Sequence, residues 1–159
     1  TIPKNELQAL TGGSNLGWVI RRAIPEWVME TIVFGDSVIA LCWVTSENKQ
    51  LGIFHRNRVI QVRRGTNLDD LYHCRTDHNP SDVGTRPSKV TLADVGPESR
   101  WHNGDEWMTW DLEKAISAGV IKPASALRVN KEEEDEYTDG FLIDKQPDVL
   151  TRGHIANET

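Results

Sequence analysis

The chain has 159 residues and a formal net charge of −6, with an isoelectric point near 5.3. It is long enough for one self-supporting core and too acidic for a generic nucleic-acid binder with a basic surface throughout. Cys42 and Cys74 both lie in apolar segments and do not make a secreted disulfide framework, and no apolar stretch approaches the roughly 18–20 residues that span a bilayer. These features predict an intracellular protein with no membrane partner.

The charge is unevenly spread. Lys49, Arg56, Arg58, Arg63, Arg64 and Arg75 make the middle locally basic, whereas the acidic excess lies around Glu132-Glu133-Glu134-Asp135-Glu136. A chain that opens at Thr1 rather than Met is expected to be a processed product, a polyprotein segment or a trimmed piece.

In chain order, Glu6 to Ile24 reads as a helix, with Leu7, Leu10, Ile20 and Ala23 on or near one face and Gly12, Gly13 and Gly17 weakening it. Pro25 ends that helix, and the β-branched run Thr31 to Phe34 reads as a buried strand. Ser37 to Ser46 follows as a short helix. Gln50 to Arg64 is the most amphipathic stretch, with Leu51, Phe54, Val59 and Val62 inward and Arg56, Arg63 and Arg64 toward solvent. Gly65-Thr66-Asn67 is a turn and Leu71 to Cys74 a second strand. Beyond Arg86, Pro and Gly break the pattern. Trp101, Trp107 and Trp110 fall close together there and are expected to pin a loop against the core, and Asp111 to Ala118 can form a short helix. From about Pro123 the chain reads as a linker that ends in a solvated acidic tail.

Two junctions carry acids. In Asn79-Pro80-Ser81-Asp82-Val83-Gly84-Thr85-Arg86, Asn79 suits an N-cap, Pro80 the first helical position, and Asp82 falls where exposed N–H groups and the macrodipole favour negative charge. In Phe34-Gly35-Asp36-Ser37, Asp36 emerges at the end of a buried strand just ahead of a helix. Acids converging from a strand end and a helix start suit hard, oxygen-seeking cations, and the same residues also suit plain capping. Glu6, on a helix that can pack against that strand, adds a third acid to one potential metal cluster. Alone, it reads as a first-turn dipole partner.

Six segments in order resemble the ribonuclease H domain in the pol polyproteins of BEL/Pao-type LTR retrotransposons. They are Asn5-Glu6-Leu7-Gln8-Ala9-Leu10, Asp36-Ser37-Val38-Ile39-Ala40-Leu41-Cys42-Trp43-Val44, Phe54-His55-Arg56-Asn57-Arg58-Val59, Leu71-Tyr72-His73-Cys74, Asn79 to Arg86, and Ser99-Arg100-Trp101-His102-Asn103-Gly104-Asp105-Glu106-Trp107. The resemblance covers residues 4 to 108. It implies an α/β fold, a ribonuclease H-like mixed sheet flanked by helices, with segment 1–90 in that domain, 91–122 a Trp-containing extension and 123–159 an acidic linker or tail. It further implies hydrolysis of the RNA strand of an RNA–DNA hybrid with two Mg²⁺ or Mn²⁺ ions, in a retroelement particle of the cytoplasm, beside the rest of the reverse transcriptase polyprotein.

Carried over by motif, Glu6, Asp36 and Asp82 are the metal-binding and catalytic acids, with Asp36 bridging the ions. The family often carries a mobile histidine before its last aspartate that assists proton transfer or product release, a place open to His78 or His73 without a motif match in spacing, and a loop histidine beside Asn also reads as simply solvated. Arg56, Arg58, Arg63 and Arg64 suit a groove that follows the hybrid backbone, or a solvated helix face. A zinc site from Cys42, His73, Cys74 and His78 is disfavoured, because His73 and Cys74 point to opposite faces of a strand.

The chain departs from the family at its start. The family's first aspartate lies on an opening strand ahead of the glutamate helix, and five residues precede Glu6. The expectation is therefore the back portion of the domain, lacking its first strands. It is either completed by another chain or it is a degenerate, non-catalytic binding or structural module.

Overall fold

The computed structural model describes residues 2–28, 30–47, 50–85 and 90–129. Lys49, Arg86 and the acidic run at 132–136 lie outside the described residues. The architecture is mixed α/β, with a small sheet covered by helices on one face and by an irregular, tryptophan-containing segment on the other.

Three strands, β1 (Val33–Gly35), β2 (Leu71–Cys74) and β3 (Ile121–Pro123), lie in the order β1-β2-β3. β1 runs parallel to β2, pairing Val33 with Leu71 and Gly35 with His73, and β3 runs antiparallel, pairing Ile121 with Cys74. Alternation along the strands assigns side chains to the two faces. Leu71 and Val33 enter the main core with the helices, while Tyr72, Cys74 and Phe34 meet Trp107, Ala115, Val120 and Ile121 on the other side.

Helix α1 (Ile2–Ala23) starts four residues earlier than its apolar pattern indicates, because Pro3 is tolerated in a first turn whose N–H groups lack intrahelical partners. Leu7 and Leu10 are buried in the main core, and Thr11 and Ser14 beside them are buried as well. Ser14 Oγ lies 3.2 Å from the Val62 carbonyl and 2.7 Å from Thr66 Oγ1, and Arg21 Nη2 donates to the Gly65 carbonyl at 2.6 Å. These contacts fasten α1 to the end of α3 (Ile53–Gly65).

Helix α2 (Val38–Thr45) is capped by Ser37, whose Oγ accepts from the Ala40 N–H at 3.2 Å. Ala40 to Val44 are all buried, so this helix is apolar all round and serves as the centre of the core, not as an amphipathic cover. Its C-terminal end is closed by Arg63, which donates to the Val44 and Ser46 carbonyls at 2.7 Å each.

On α3 the buried face is His55, Val59, Val62 and Gly65. Phe54, expected inward, is half-buried and lies under two cations, with the Arg58 guanidinium 3.7 Å and the Lys4 ammonium 4.4 Å from its ring centre.

The helix α4 (Arg100–Asn103) and the helix α5 (Leu112–Ser117) follow, the latter capped by Asp111, which accepts from the Lys114 N–H at 2.7 Å. Strand β3 was not marked by the sequence pattern. Ala124 and Leu127, within the stretch read as linker, are buried in the main core.

The α1–α3 contact generates a stability prediction. A Cβ on Gly65 would stand 2.5 Å from Ser14 Oγ and 3.1 Å from the Ser14 carbonyl oxygen, whereas one on Gly12 would meet nothing within 4 Å. Gly65→Ala is expected to destabilise the fold by roughly 1–3 kcal/mol through overpacking. Gly12→Ala, in an open helix interior, is expected to stabilise it by about 0.5–1 kcal/mol. Urea unfolding of the two variants checks the pair, and equal effects of the same sign would contradict the packing.

Candidate functional site

The three acids singled out in the sequence come from three elements and line one cleft of about 580 Å³. Glu6 reaches it from α1, together with Asn5, Ala9 and Gly13. Asp36 stands between the end of β1 and the Ser37 cap of α2. Asp82, with Asn79 and Ser81, comes from the 3-10 segment Pro80–Thr85.

Each acid is placed by local chemistry. Asp36 must leave the sheet because Gly35 ends β1 and Ser37 begins the next helix. Asn79 acts as the expected cap, its Oδ1 accepting from the Ser81 N–H at 3.1 Å, although the element it opens is a 3-10 turn and not an α-helix. Its amide nitrogen donates across the cleft to Asp36 Oδ2 at 3.4 Å, so one side chain both caps its own segment and touches the opposite acid. Local sequence carries no signal for that second contact, because the two residues are 43 positions apart.

Among the described residues, no three His, Cys, Asp or Glu side chains form a group that could hold a metal ion. The oxygen donors have the right chemistry for Mg²⁺ or Mn²⁺ but not the convergence, so the residues present do not by themselves fit a two-metal centre.

His78 is not among the lining residues. Its carbonyl accepts from the Trp107 indole N–H at 3.0 Å, and its Nε2 lies 3.9 Å from Asp77 Oδ2. Asp77 is exposed and paired with Arg75, whose Nη2 donates to it at 2.6 Å, and that hydrogen bond lowers its pKa. His73 is closer to the acids. It sits opposite Gly35 in the sheet register, and burial lowers its pKa, while a hydrogen bond to the Asp36 backbone and the Asp36 charge act in the raising direction. Cys74 is buried, and burial reinforced by the Asp36 charge pushes its thiol up to about 11, which makes it an inert core residue.

The four arginines of α3 do not share one surface. Arg56 and Arg64 are exposed, Arg63 is tied to the end of α2, and Arg58 packs over Phe54 and donates through Nε to Gln8 at 3.0 Å. At 100° per residue, Arg58 lies about 200° around the helix from Arg56. Arg58, Lys4 and Gln8 instead form a patch beside the first turns of α1, next to the part of that helix that carries Glu6.

Compared with protein-family models, curated proteins and solved structures, the chain finds no match in any of the three. Among the described residues, no helix is long and apolar enough to cross a membrane.

Sequence reading passed over His55. It is 3% exposed, meets Trp43 edge-on at 4.9 Å, and has its pKa lowered first by burial and then by Lys4 and Arg58. With the folded-state pKa values of His55 and His73 both below the ordinary 6.5, the unfolded chain binds protons first as pH falls. Their contribution to stability is therefore complete above about pH 6.5 and is lost as pH falls below it. The urea midpoint is expected to be lower at pH 5.5 than at pH 7.5, with a smaller difference in His55→Gln. An unchanged or higher midpoint at pH 5.5 would contradict this.

Proposed function

We propose that this chain is the helix-and-strand portion of a ribonuclease H-like, metal-dependent hydrolase of RNA–DNA hybrids, of the kind carried by BEL/Pao-type retroelement polyproteins. The observation that carries the reading is the cleft. Glu6, Asp36 and Asp82, chosen from sequence order, line the same cavity from α1, the β1–α2 junction and the segment after β2.

In this reading the finer fold is a ribonuclease H-like sheet whose opening strands come from elsewhere. β1 pairs with β2 alone among the described strands, so its other edge is open for a further strand. The α1 face that carries Glu6, Ala9 and Gly13 continues at helical spacing into Leu16 and Ile20, which are 60% and 38% exposed. A strand laid along β1 would cover that stripe and bring a further carboxylate to the cleft. Bound there, two Mg²⁺ or Mn²⁺ ions would supply water activation and leaving-group stabilisation. The chain's own part is to hold three oxygen donors around one cavity, with Asn79 steadying Asp36. The hybrid is the substrate, the rest of the reverse transcriptase polyprotein the partner, and the particle in the cytoplasm the setting.

A second reading, a non-catalytic binding or structural module derived from such a domain, is favoured by one observation. The acids share a cleft without forming a metal-holding group among the described residues.

Titration with Mg²⁺, followed by melting temperature and amide chemical shifts, separates the two. The hydrolase reading predicts a rise in melting temperature at millimolar Mg²⁺ that is lost in Asp36→Asn, and hybrid cleavage only after an acid-bearing strand segment is supplied. No response to Mg²⁺, together with no cleavage in the supplemented mixture, would leave the module reading. Cleavage by the chain alone would overturn the requirement for a further strand.

A further inference from the structure

The segment that delivers Asn79 and Asp82 has little internal support. Arg75 is tied by its N–H to the Val120 carbonyl at 3.3 Å, and beyond it the backbone–backbone bonds among the described residues up to Thr85 are short i→i+3 ones, such as His78 N–H to the Arg75 carbonyl and Asp82 N–H to the Asn79 carbonyl, the weaker 3-10 pattern. Its placement has to come from outside.

Residues 99–107 supply it at three points. Arg100 Nη2 donates to the Asp77 carbonyl at 3.0 Å. The Trp107 indole donates to the His78 carbonyl at 3.0 Å. The Trp101 ring lies on Gly84, where an added Cβ would stand 2.6 Å from it. The strap is itself anchored. Arg100 makes a two-pronged pair with Asp105, and Gly104, at φ +71°, makes the turn between them. Trp107 is buried and meets Phe34 edge-on at 5.2 Å, and Phe34 lines the cleft. The strap thus touches the cleft through both the acid-bearing segment and the strand wall.

We infer that residues 99–107 form a strap that sets the position of Asn79 and Asp82 in the cleft, with Arg100 and Trp107 as positioning residues. The inference rests on the reading of this cleft as the functional site. Loosening the strap lets the 77–84 segment move away from Asp36 while the sheet stays intact, because β2 is held on both sides by strands, and a ring kept at position 107 still packs on Tyr72 and Cys74.

Trp107→Phe removes the indole donor and keeps a ring, and Arg100→Gln changes an exposed side chain, so the two variants fail to fold for different reasons if they fail at all. The experiment compares amide hydrogen exchange, the Asn79 side-chain amide resonances and the Asp36 carboxyl ¹³C resonance in the full chain, then repeats the resonances with Mn²⁺ as probe. Exchange at 78–85 is expected to rise about tenfold per lost hydrogen bond, with β2 amides unchanged. The Asn79 and Asp36 signals are expected to shift in both variants, while those of Glu6 stay in place. Wild-type exchange at 78–85, or acceleration that is uniform along the chain, would overturn the strap. Absence of Mn²⁺ broadening at Asp36 in the wild type would count against the metal reading, whereas the strap stands or falls on the exchange rates and shifts.

Discussion

The close contact of α1 with the end of α3 is the constraint from which the rest follows. Ser14 reaches the Val62 carbonyl and the Thr66 hydroxyl only because Gly65 presents no side chain there, and Arg21 closes the same junction from the same face of α1 about two turns further along. Polar groups buried this way must be satisfied to avoid a penalty of about 1–3 kcal/mol each. The junction therefore fixes the axial position of α1 as well as its distance. Since Glu6 stands two turns before Ser14 on the same rigid helix, that junction also determines where Glu6 stands.

The sheet supplies the second half of the geometry. Its two faces carry different covers, the apolar helix α2 on one and the Trp107 cluster on the other. Both strand exits of the parallel pair β1 and β2 are thereby held, and each exit releases an acid-bearing segment at the same end of the sheet. Clefts at the carboxyl ends of parallel strands are where α/β folds place ligands. Asp36 and Asp82 line one cleft for that topological reason, and α1 closes the side that carries Glu6.

Much of this was legible from the sequence where the signal is local. The β-branched run before Gly35, the helix that follows Asp36, and Asn79 followed by Pro80 each carry a local signal, although the strand is Val33–Gly35, starting two residues later than read and with Phe34 exposed, and Asn79 opens a 3-10 turn in place of a helix. Periodicity misled where tertiary burial dominates. Helix α2 forms inside the stretch read as a helix, but its Ala40–Val44 run is buried all round, so spacing did not mark which of its residues are inside, and His55 is buried next to Trp43 where Phe54 was expected inward. Strand β3 is three residues long and ends in proline, too short for alternation to register. Contacts that join distant positions, such as Asn79 to Asp36 or Trp107 to His78, leave no local trace. Arginines look alike in sequence, yet Arg63 is committed to closing α2 while Arg56 is left exposed.

Packing of the helices on the sheet brings α1, the β1–α2 junction and the segment after β2 around one cleft. Nuclear Overhauser spectroscopy on the uniformly labelled chain tests it most directly. Cross-peaks are expected from the Leu10 δ methyl to the Gly35 α protons, from Ser14 to Gly65, and from the Trp101 ring to Gly84, since each of these side chains lies within 4 Å of where a Cβ on the glycine would stand. Absence of these cross-peaks, with the sequential helical peaks of α1 and α3 intact, would show elements that form without assembling the cleft, contrary to this packing.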